Sequence, residues 1–204
     1  MARAGEQIEN VRTGQRMNFL VTAEESGGEL LRIDTYNPTG PFEPVHIHPK
    51  QLSTAEVLSG SLLFLVDGRE VRLGPGSRLE IPAGTAHSFR NEGPEEAHWI
   101  GEFKPALRSA EFFETLFTLA KRGELSAQGI PSPLQLALSV PEFGSEIRLV
   151  SPPWLLQRLL LAPLLPLARL RGLQPAYRWD PVGAAEAEAE HQGDRPIAQG
   201  GAAG

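Results

Sequence analysis

Three histidines, His46, His48 and His87, are the residues whose type and spacing point most directly to chemistry. Imidazole is the commonest metal ligand among protein side chains, and two imidazoles one residue apart can act as a chelate. Alternate side chains of a β-strand point to the same face, so His46 and His48 are expected to point together while Ile47 points away. A third histidine from another segment would complete a metal platform.

His87 lies in a second segment with strand-like alternation. A period of two places Thr85, His87 and Phe89 on one face. Pro82 and Gly84 precede this stretch and favour a turn, because proline presets its own backbone angle and glycine accepts positive φ. The sequence therefore predicts that a turn aims His87 towards the first pair.

The two segments resemble the paired signature motifs of the cupin superfamily. The first family motif is glycine, five residues, His-x-His, a short gap, glutamate, six residues and glycine; Gly40, His46, His48 and Gly60 fit its other fixed positions. The second motif ends in histidine, three residues and asparagine. Its fixed positions are matched in full by Gly76, Pro82, Gly84, His87 and Asn91. The resemblance covers roughly residues 16–104, about half of the chain.

This resemblance implies a mainly β fold, an antiparallel jelly-roll barrel with a ligand or metal site in its mouth. The remainder of the chain is similar to the C-terminal extension of small single-barrel cupins. In those proteins a Phe-Lys-Pro-Ala-Leu-like stretch, here residues 103–107, leads into a helix that contains residues 112–117. We therefore expect C-terminal α-helices, but this part of the resemblance implies no particular reaction.

The chain departs from the family at the acidic metal ligand, whose position is occupied by Ser53. Glu56 is near in sequence, but it has the wrong parity to share a strand face with Ser53. Three neutral imidazoles can still hold zinc, iron, nickel or copper and leave coordination positions open for water or substrate. Loss of the carboxylate is expected to lower the affinity and the preference for harder ions such as manganese.

The strand that contains Ser53 also predicts an unusual pocket. Ser53, Ala55 and Val57 alternate onto one face and are all small or medium-sized, so the pocket is expected to be roomy and apolar. Phe42, Phe64 or Phe89 could instead fill that space. The side chains predicted to line the pocket are Gln51, Ser53, Ala55, Val57, Phe64 and Phe89.

Composition narrows the function further. The 204 residues include no cysteine, which excludes disulfides, thiol nucleophiles and sulfur-ligated metal sites. A net charge of −6 disfavours a nucleic-acid surface. The expected ligand, a small molecule, is what the resemblance implies. The N-terminus lacks an apolar export segment, which leads us to expect a cytoplasmic protein.

Three regions follow from the pattern along the chain. Residues 1–107 are expected to form the barrel, with an N-terminal arm at a sheet edge; Asp67-Gly68 marks a hairpin. Residues 108–180 are predicted to form a helical extension that packs on the barrel or on a dimer partner. Ser109 is expected to be the N-cap of its first helix, and Gly123 is expected to end that helix. Residues 181–204 are predicted to form a solvated, disordered tail.

The apolar segment 153–171 allows two interpretations. It is too short to span a bilayer, and Pro163 and Pro166 interrupt it. We expect it to cover the barrel or a dimer partner; the alternative is an interfacial membrane contact. A homodimer is therefore expected.

The leading functional hypothesis is a metal-binding cupin in which His46, His48 and His87 hold a divalent transition metal that coordinates a small organic ligand. Such a centre could support dioxygenase-like or isomerase-like chemistry. No second catalytic group is evident in the sequence, and Ser53 is not an acid or base near neutral pH. The alternatives are a non-catalytic ligand-binding or sensing barrel with a degenerate metal site, and a structural dimer with vestigial histidines. His98 is expected to be structural.

Overall fold

The computed structural model describes residues 2–180, which form two antiparallel sheets and several C-terminal helices. The six-stranded sheet has the order β1-β2-β3-β10-β5-β8, and the five-stranded sheet has the order β11-β4-β9-β6-β7. This confirms the mainly β, antiparallel fold class. The strands are β1 (Gln7–Asn10), β2 (Gln15–Val21), β3 (Leu31–Asn37), β4 (His46–Ile47), β5 (Leu52–Ser59), β6 (Leu62–Val66), β7 (Arg69–Leu73), β8 (Arg78–Ile81), β9 (His87–Arg90), β10 (Ala97–Lys104) and β11 (Arg148–Leu149).

The hairpin expected at Asp67-Gly68 joins β6 to β7. Both residues have positive φ, 46° and 77°, as a tight two-residue hairpin turn requires. The turn sets a register in which Leu62 lies opposite Leu73, so that both side chains are buried on the same face. The N-terminal arm forms β1 at the edge of the larger sheet, where Ile8 is fully buried.

Two apolar clusters form the core. One packs between the two sheets and contains Val57, Phe64, Phe89 and Trp99 among its members. The other joins the larger sheet to the helical region through Phe19, Ile33 and Phe103 on strands and Phe117 on the first helix. Alternating apolar residues on β2, β3 and β10 supply the sheet side of the second cluster, which anchors the helices beside the region where the histidines lie.

The helices are α1 (Ser109–Lys121), α2 (Pro133–Glu142), α3 (Trp154–Leu161) and α4 (Leu165–Leu170), with a 3-10 turn at Ala162–Leu164. Ser109 is not the helix cap: Arg108 holds that position, and the Ser109 hydroxyl instead accepts a hydrogen bond from the buried Gln51 amide at 2.8 Å. Gly123, with φ 69°, follows the end of α1 as expected. Within residues 2–180, no helix is long and apolar enough to cross a membrane. The expectation for the tail at 181–204 lies outside the described residues.

Candidate metal centre

The three histidines meet at the junction of β4 and β9. His46 lies directly opposite His87 in the register of these strands, and His48 follows the end of β4. The ring centroids are 4.4 Å apart for His46 and His87, 5.1 Å for His46 and His48, and 5.2 Å for His48 and His87. One nitrogen from each ring lies within 4.8 Å of those of the other two, and all three residues are buried. The cluster therefore has the dimensions of a metal site.

Hydrogen bonds hold each imidazole in one orientation. The Nδ1 atoms of His46, His48 and His87 lie 2.8, 2.7 and 2.9 Å from the carbonyl oxygens of Pro44, Glu146 and Thr85. A carbonyl oxygen only accepts, so each Nδ1 carries the proton, and the neutral ring keeps its lone pair on Nε2. Carbonyl oxygens that accept a hydrogen bond from the ring in this way fix the tautomer of metal-binding histidines. Three buried Nε2 lone pairs are a donor set that fits a transition metal.

The partner of His48 comes from the C-terminal region. Glu146 is separated from His48 by almost a hundred positions, yet its carbonyl accepts the His48 Nδ1 proton. Two residues later β11 pairs with β4, so that Leu149 lies opposite His46. The helical half of the chain thus supplies a strand and a hydrogen-bond acceptor to the histidine cluster.

The surroundings keep all three rings neutral. Burial lowers the pKa of His48 to about 4, and the neighbouring His87 adds to the effect. Burial, together with the charges that His48 and His87 would carry, holds the pKa of His46 well below its ordinary value, and burial also lowers the pKa of His87. Because only neutral imidazole binds a metal, the cluster does not require an alkaline solution to become a ligand set.

The histidines form part of the wall of a cavity of about 200 Å³ that is lined mostly by apolar side chains. Both sheets contribute, through Phe64, Phe89 and Trp99 among others, and the helical region adds Phe113 and Phe143. Phe89 packs against Phe64 and Trp99 with ring centroids 5.3 and 5.4 Å apart. An apolar cavity beside a few polar imidazole nitrogens is the usual composition of a small-molecule site.

Ser53 lies in this cavity, at the position where the resemblance places an acidic ligand. The residue is buried, and among the described residues its hydroxyl oxygen has no hydrogen-bond partner. A buried hydroxyl without a partner is costly, so the oxygen fits a bound water or ligand atom. Ala55 also lines the cavity, two positions along the same face of β5.

Two side chains predicted to line the pocket lie elsewhere. Gln51 is fully buried away from the cavity, where its amide donates to the carbonyl oxygens of Pro105 and Ala106 and ties the start of α1 to the sheet. Val57 lies opposite Trp99 in the β5–β10 register and packs with it in the core, and the Trp99 side chain lines the cavity in its place. Strand parity did not indicate that the aromatic side chain of Trp99 extends to the cavity at this position.

Glu43 also lines the cavity, although neither motif indicates it. Its backbone is fixed to β9, because its N–H donates to the Phe89 carbonyl at 3.1 Å. Burial raises the pKa of its carboxyl to about 7, although a hydrogen bond from the Gln15 side chain acts in the opposite direction. The sequence feature that could have indicated this residue is an acidic side chain in the otherwise apolar segment between Gly40 and His46. A carboxyl with a pKa near neutrality can accept or donate a proton at physiological pH.

His98 lies outside this site. Its Nε2 is 2.5 Å from an Asp34 carboxylate oxygen, and its ring stacks on Tyr36 with centroids 4.3 Å apart. These contacts join β10 to β3 and give His98 the structural role that was expected.

The depressed histidine pKa values predict that the metal-free protein loses stability in mild acid. Below pH 6.5 the histidines of the unfolded chain bind protons that the buried histidines of the folded protein do not bind. The free energy of unfolding therefore falls with pH until the pH reaches the pKa of the histidines in the folded protein. For His48 alone the expected loss between pH 6.5 and 5 is about 2 kcal/mol. The raised pKa of Glu43 has the opposite effect on the free energy of unfolding between pH 7 and 4.5. The combined effect of three imidazoles is expected to exceed that of one carboxyl.

Urea unfolding of the metal-free protein at pH 7 and pH 5 measures this loss. A His48→Asn variant, which lacks one of the titrating groups, should show a smaller difference between the two pH values. Equal stability at both pH values would contradict the burial of three neutral rings.

Comparison with known proteins agrees with the motifs. Residues 32–101 match the family model of the cupin domain. Quercetin 2,3-dioxygenase from Bacillus subtilis (strain 168) is 30% identical over 105 residues, which are 51% of this chain and 31% of that protein. The chain thus matches about a third of the length of this curated relative.

Solved structures with partial similarity include KdgF from Halomonas sp., with a TM-score of 0.43 and 20% identity over 48% of this chain and 84% of that one. A predicted oxalate decarboxylase from Thermotoga maritima has a TM-score of 0.45 and 21% identity, over 52% of this chain and 98% of that one. The family-model match contains both histidine segments and most strands of the two sheets. Together with the two fitted motifs, it supports the assignment of residues 32–101 to the cupin superfamily.

Proposed function

We propose that the chain binds a divalent transition metal at His46, His48 and His87, together with a small oxygen-bearing organic molecule in the adjoining cavity. The observation that carries this proposal is the convergence of three buried Nε2 lone pairs at the wall of an apolar chamber. Imidazole donors suit zinc, iron, nickel and copper. When bound, such a metal would supply Lewis-acid or redox chemistry towards oxygen atoms of the substrate or dioxygen.

The residues around the histidines have separable roles in this proposal. Phe89, Trp99 and Phe113 hold an aromatic or aliphatic ligand and exclude water from the chamber. The Glu43 carboxylate accepts a proton from a ligand hydroxyl, since its pKa of about 7 leaves part of it ionised at neutral pH. The Ser53 hydroxyl donates a hydrogen bond to a ligand oxygen or to a water molecule.

The reaction class that we infer is oxygenation of a phenolic or enolic substrate. Two observations support it over isomerisation of a sugar-like molecule: the cavity wall is mostly aromatic and aliphatic, and the curated relative is a quercetin 2,3-dioxygenase. An apolar wall offers few partners for the many hydroxyl groups of a sugar, whereas it matches the faces of aromatic rings.

Non-catalytic ligand binding is a second candidate function. Ser53 occupies the position of an acidic metal ligand in relatives, and its neutral hydroxyl does not supply the negative charge of a carboxylate. The two candidates differ in their need for metal. A binding protein of this kind would hold its ligand equally well before and after chelation.

The deciding experiment is oxygen uptake by untagged protein loaded separately with iron, nickel, copper or zinc, with quercetin and catechol as probes. We expect turnover with at least one metal and none after chelation. Equal quercetin binding with and without metal, with no oxygen uptake, would instead support the binding protein. Failure of every metal to bind would overturn both the metal centre and the chemistry built on it.

A further inference from the structure

Independently of the metal centre, the helical run from Trp154 to Leu170 presents large apolar side chains to solvent. Leu155, Leu159, Leu160 and Leu170 are 78%, 69%, 60% and 84% exposed. Leu155 and Leu159 are four positions apart and therefore lie on one side of α3. Scattered exposed leucines are ordinary, but several on one short segment indicate an interaction surface.

The exposure does not result from a loosely attached segment. On the opposite side of α3 the buried Gln157 amide donates to the carbonyl oxygens of Leu149 and Pro152 at 2.8 and 2.5 Å. In α4, Ala168 is fully buried. The run is thus attached through Gln157 and Ala168, while Leu155, Leu159, Leu160 and Leu170 remain exposed.

The charges of this region have a single sign. Between positions 147 and 179 there is no aspartate, glutamate or lysine, although the whole chain has a net charge of −6. Within residues 2–180, Arg158, Arg169 and Arg171 are exposed and form no ion pair. The charged residues of the stretch are Arg148, Arg158, Arg169, Arg171 and Arg178.

We propose that the leucine-arginine face, made of Leu155, Leu159, Leu160, Leu170, Arg158, Arg169 and Arg171, binds the surface of an anionic lipid bilayer. Exposed leucines enter the boundary between headgroups and acyl chains, and the neighbouring guanidinium groups pair with anionic headgroups. A second copy of the chain is a poorer occupant. Two-fold pairing of this face with itself would bring arginines of the same sign together.

The proposal is tested with the full-length chain and sucrose-loaded vesicles of phosphatidylcholine, with or without phosphatidylserine. We expect the protein to sediment with the phosphatidylserine vesicles, at least about tenfold more than with phosphatidylcholine alone, and to dissociate in high salt. The double variant Leu155→Gln/Leu159→Gln should lose binding to both vesicles. The triple variant Arg158→Gln/Arg169→Gln/Arg171→Gln should lose only the preference for phosphatidylserine.

Leu58→Gln is the matched control, because Leu58 is 43% exposed at the end of β5 and outside the face; it should bind like the wild type. Circular dichroism verifies that each variant is folded. Two results would overturn the proposal: wild-type protein that stays in the supernatant with both vesicles, or a wild-type dimer that Leu155→Gln/Leu159→Gln converts to monomer. The second result would identify another copy of the chain as the occupant.

Discussion

Replacement of His48 by alanine is expected to lower transition-metal affinity by at least about 100-fold, because two imidazoles remain where three converged. Within residues 2–180, no carboxylate or thiolate joins the three-histidine cluster, so no other side chain is placed to compensate. Competition with a chromophoric chelator measures the affinity, and elemental analysis of purified protein measures the occupancy.

His98→Ala is the appropriate control for this substitution. It removes an imidazole of the same size that contacts Asp34 and Tyr36 and lies outside the cluster. The variant should retain wild-type affinity for metal even if its stability falls. Equal metal affinity in His48→Ala and wild-type protein would show that His48 is not a ligand.

Substitution of Glu43 by glutamine is expected to lower turnover by about 100-fold or more, the usual contribution of a positioned acid or base. Glutamine keeps the size of the side chain and its contact with Gln15 but cannot take up a proton. Metal content should not change, since Glu43 is not part of the histidine cluster. The measurement is steady-state oxygen uptake by the metal-loaded variant across the pH range around 7.

Glu95→Gln provides the matched control, because it makes the same chemical change at an exposed turn position. It should leave the rate and its pH dependence unaltered. Unchanged turnover in Glu43→Gln would assign Glu43 to the cavity wall alone. Loss of metal from that variant would instead show that the carboxylate supports the metal centre.

Local rules were sufficient for the parts of the site that depend on short-range geometry. Strand alternation places His46 and His48 together, and the Pro82 to Gly84 turn leads into the strand that carries His87. His46 lies directly opposite His87 in the pairing of β4 with β9, which brings the two motifs together. These features depend on backbone period and turn chemistry, which a sequence expresses directly.

The features that could not be predicted depend on contacts between distant segments. Nothing in the sequence indicates that the Glu146 carbonyl receives the His48 proton, because any residue has a carbonyl group. The raised pKa of Glu43 results from its burial in a cavity whose wall is built by residues distant in the sequence. Ser109 was expected to cap α1, but Gln51 engages its hydroxyl in a tertiary contact that local preference does not encode.

The contribution of the C-terminal half to the histidine cluster has a thermodynamic consequence. Because the Glu146 carbonyl orients His48 and β11 pairs with the strand of His46, occupancy of the cluster and attachment of residues 146–149 are reciprocally linked. A ligand that favours the oriented imidazoles must by the same free energy favour the attached strand. Only four residues separate that strand from α3 and its exposed leucines, so a short backbone segment connects the histidine cluster to the exposed surface of α3.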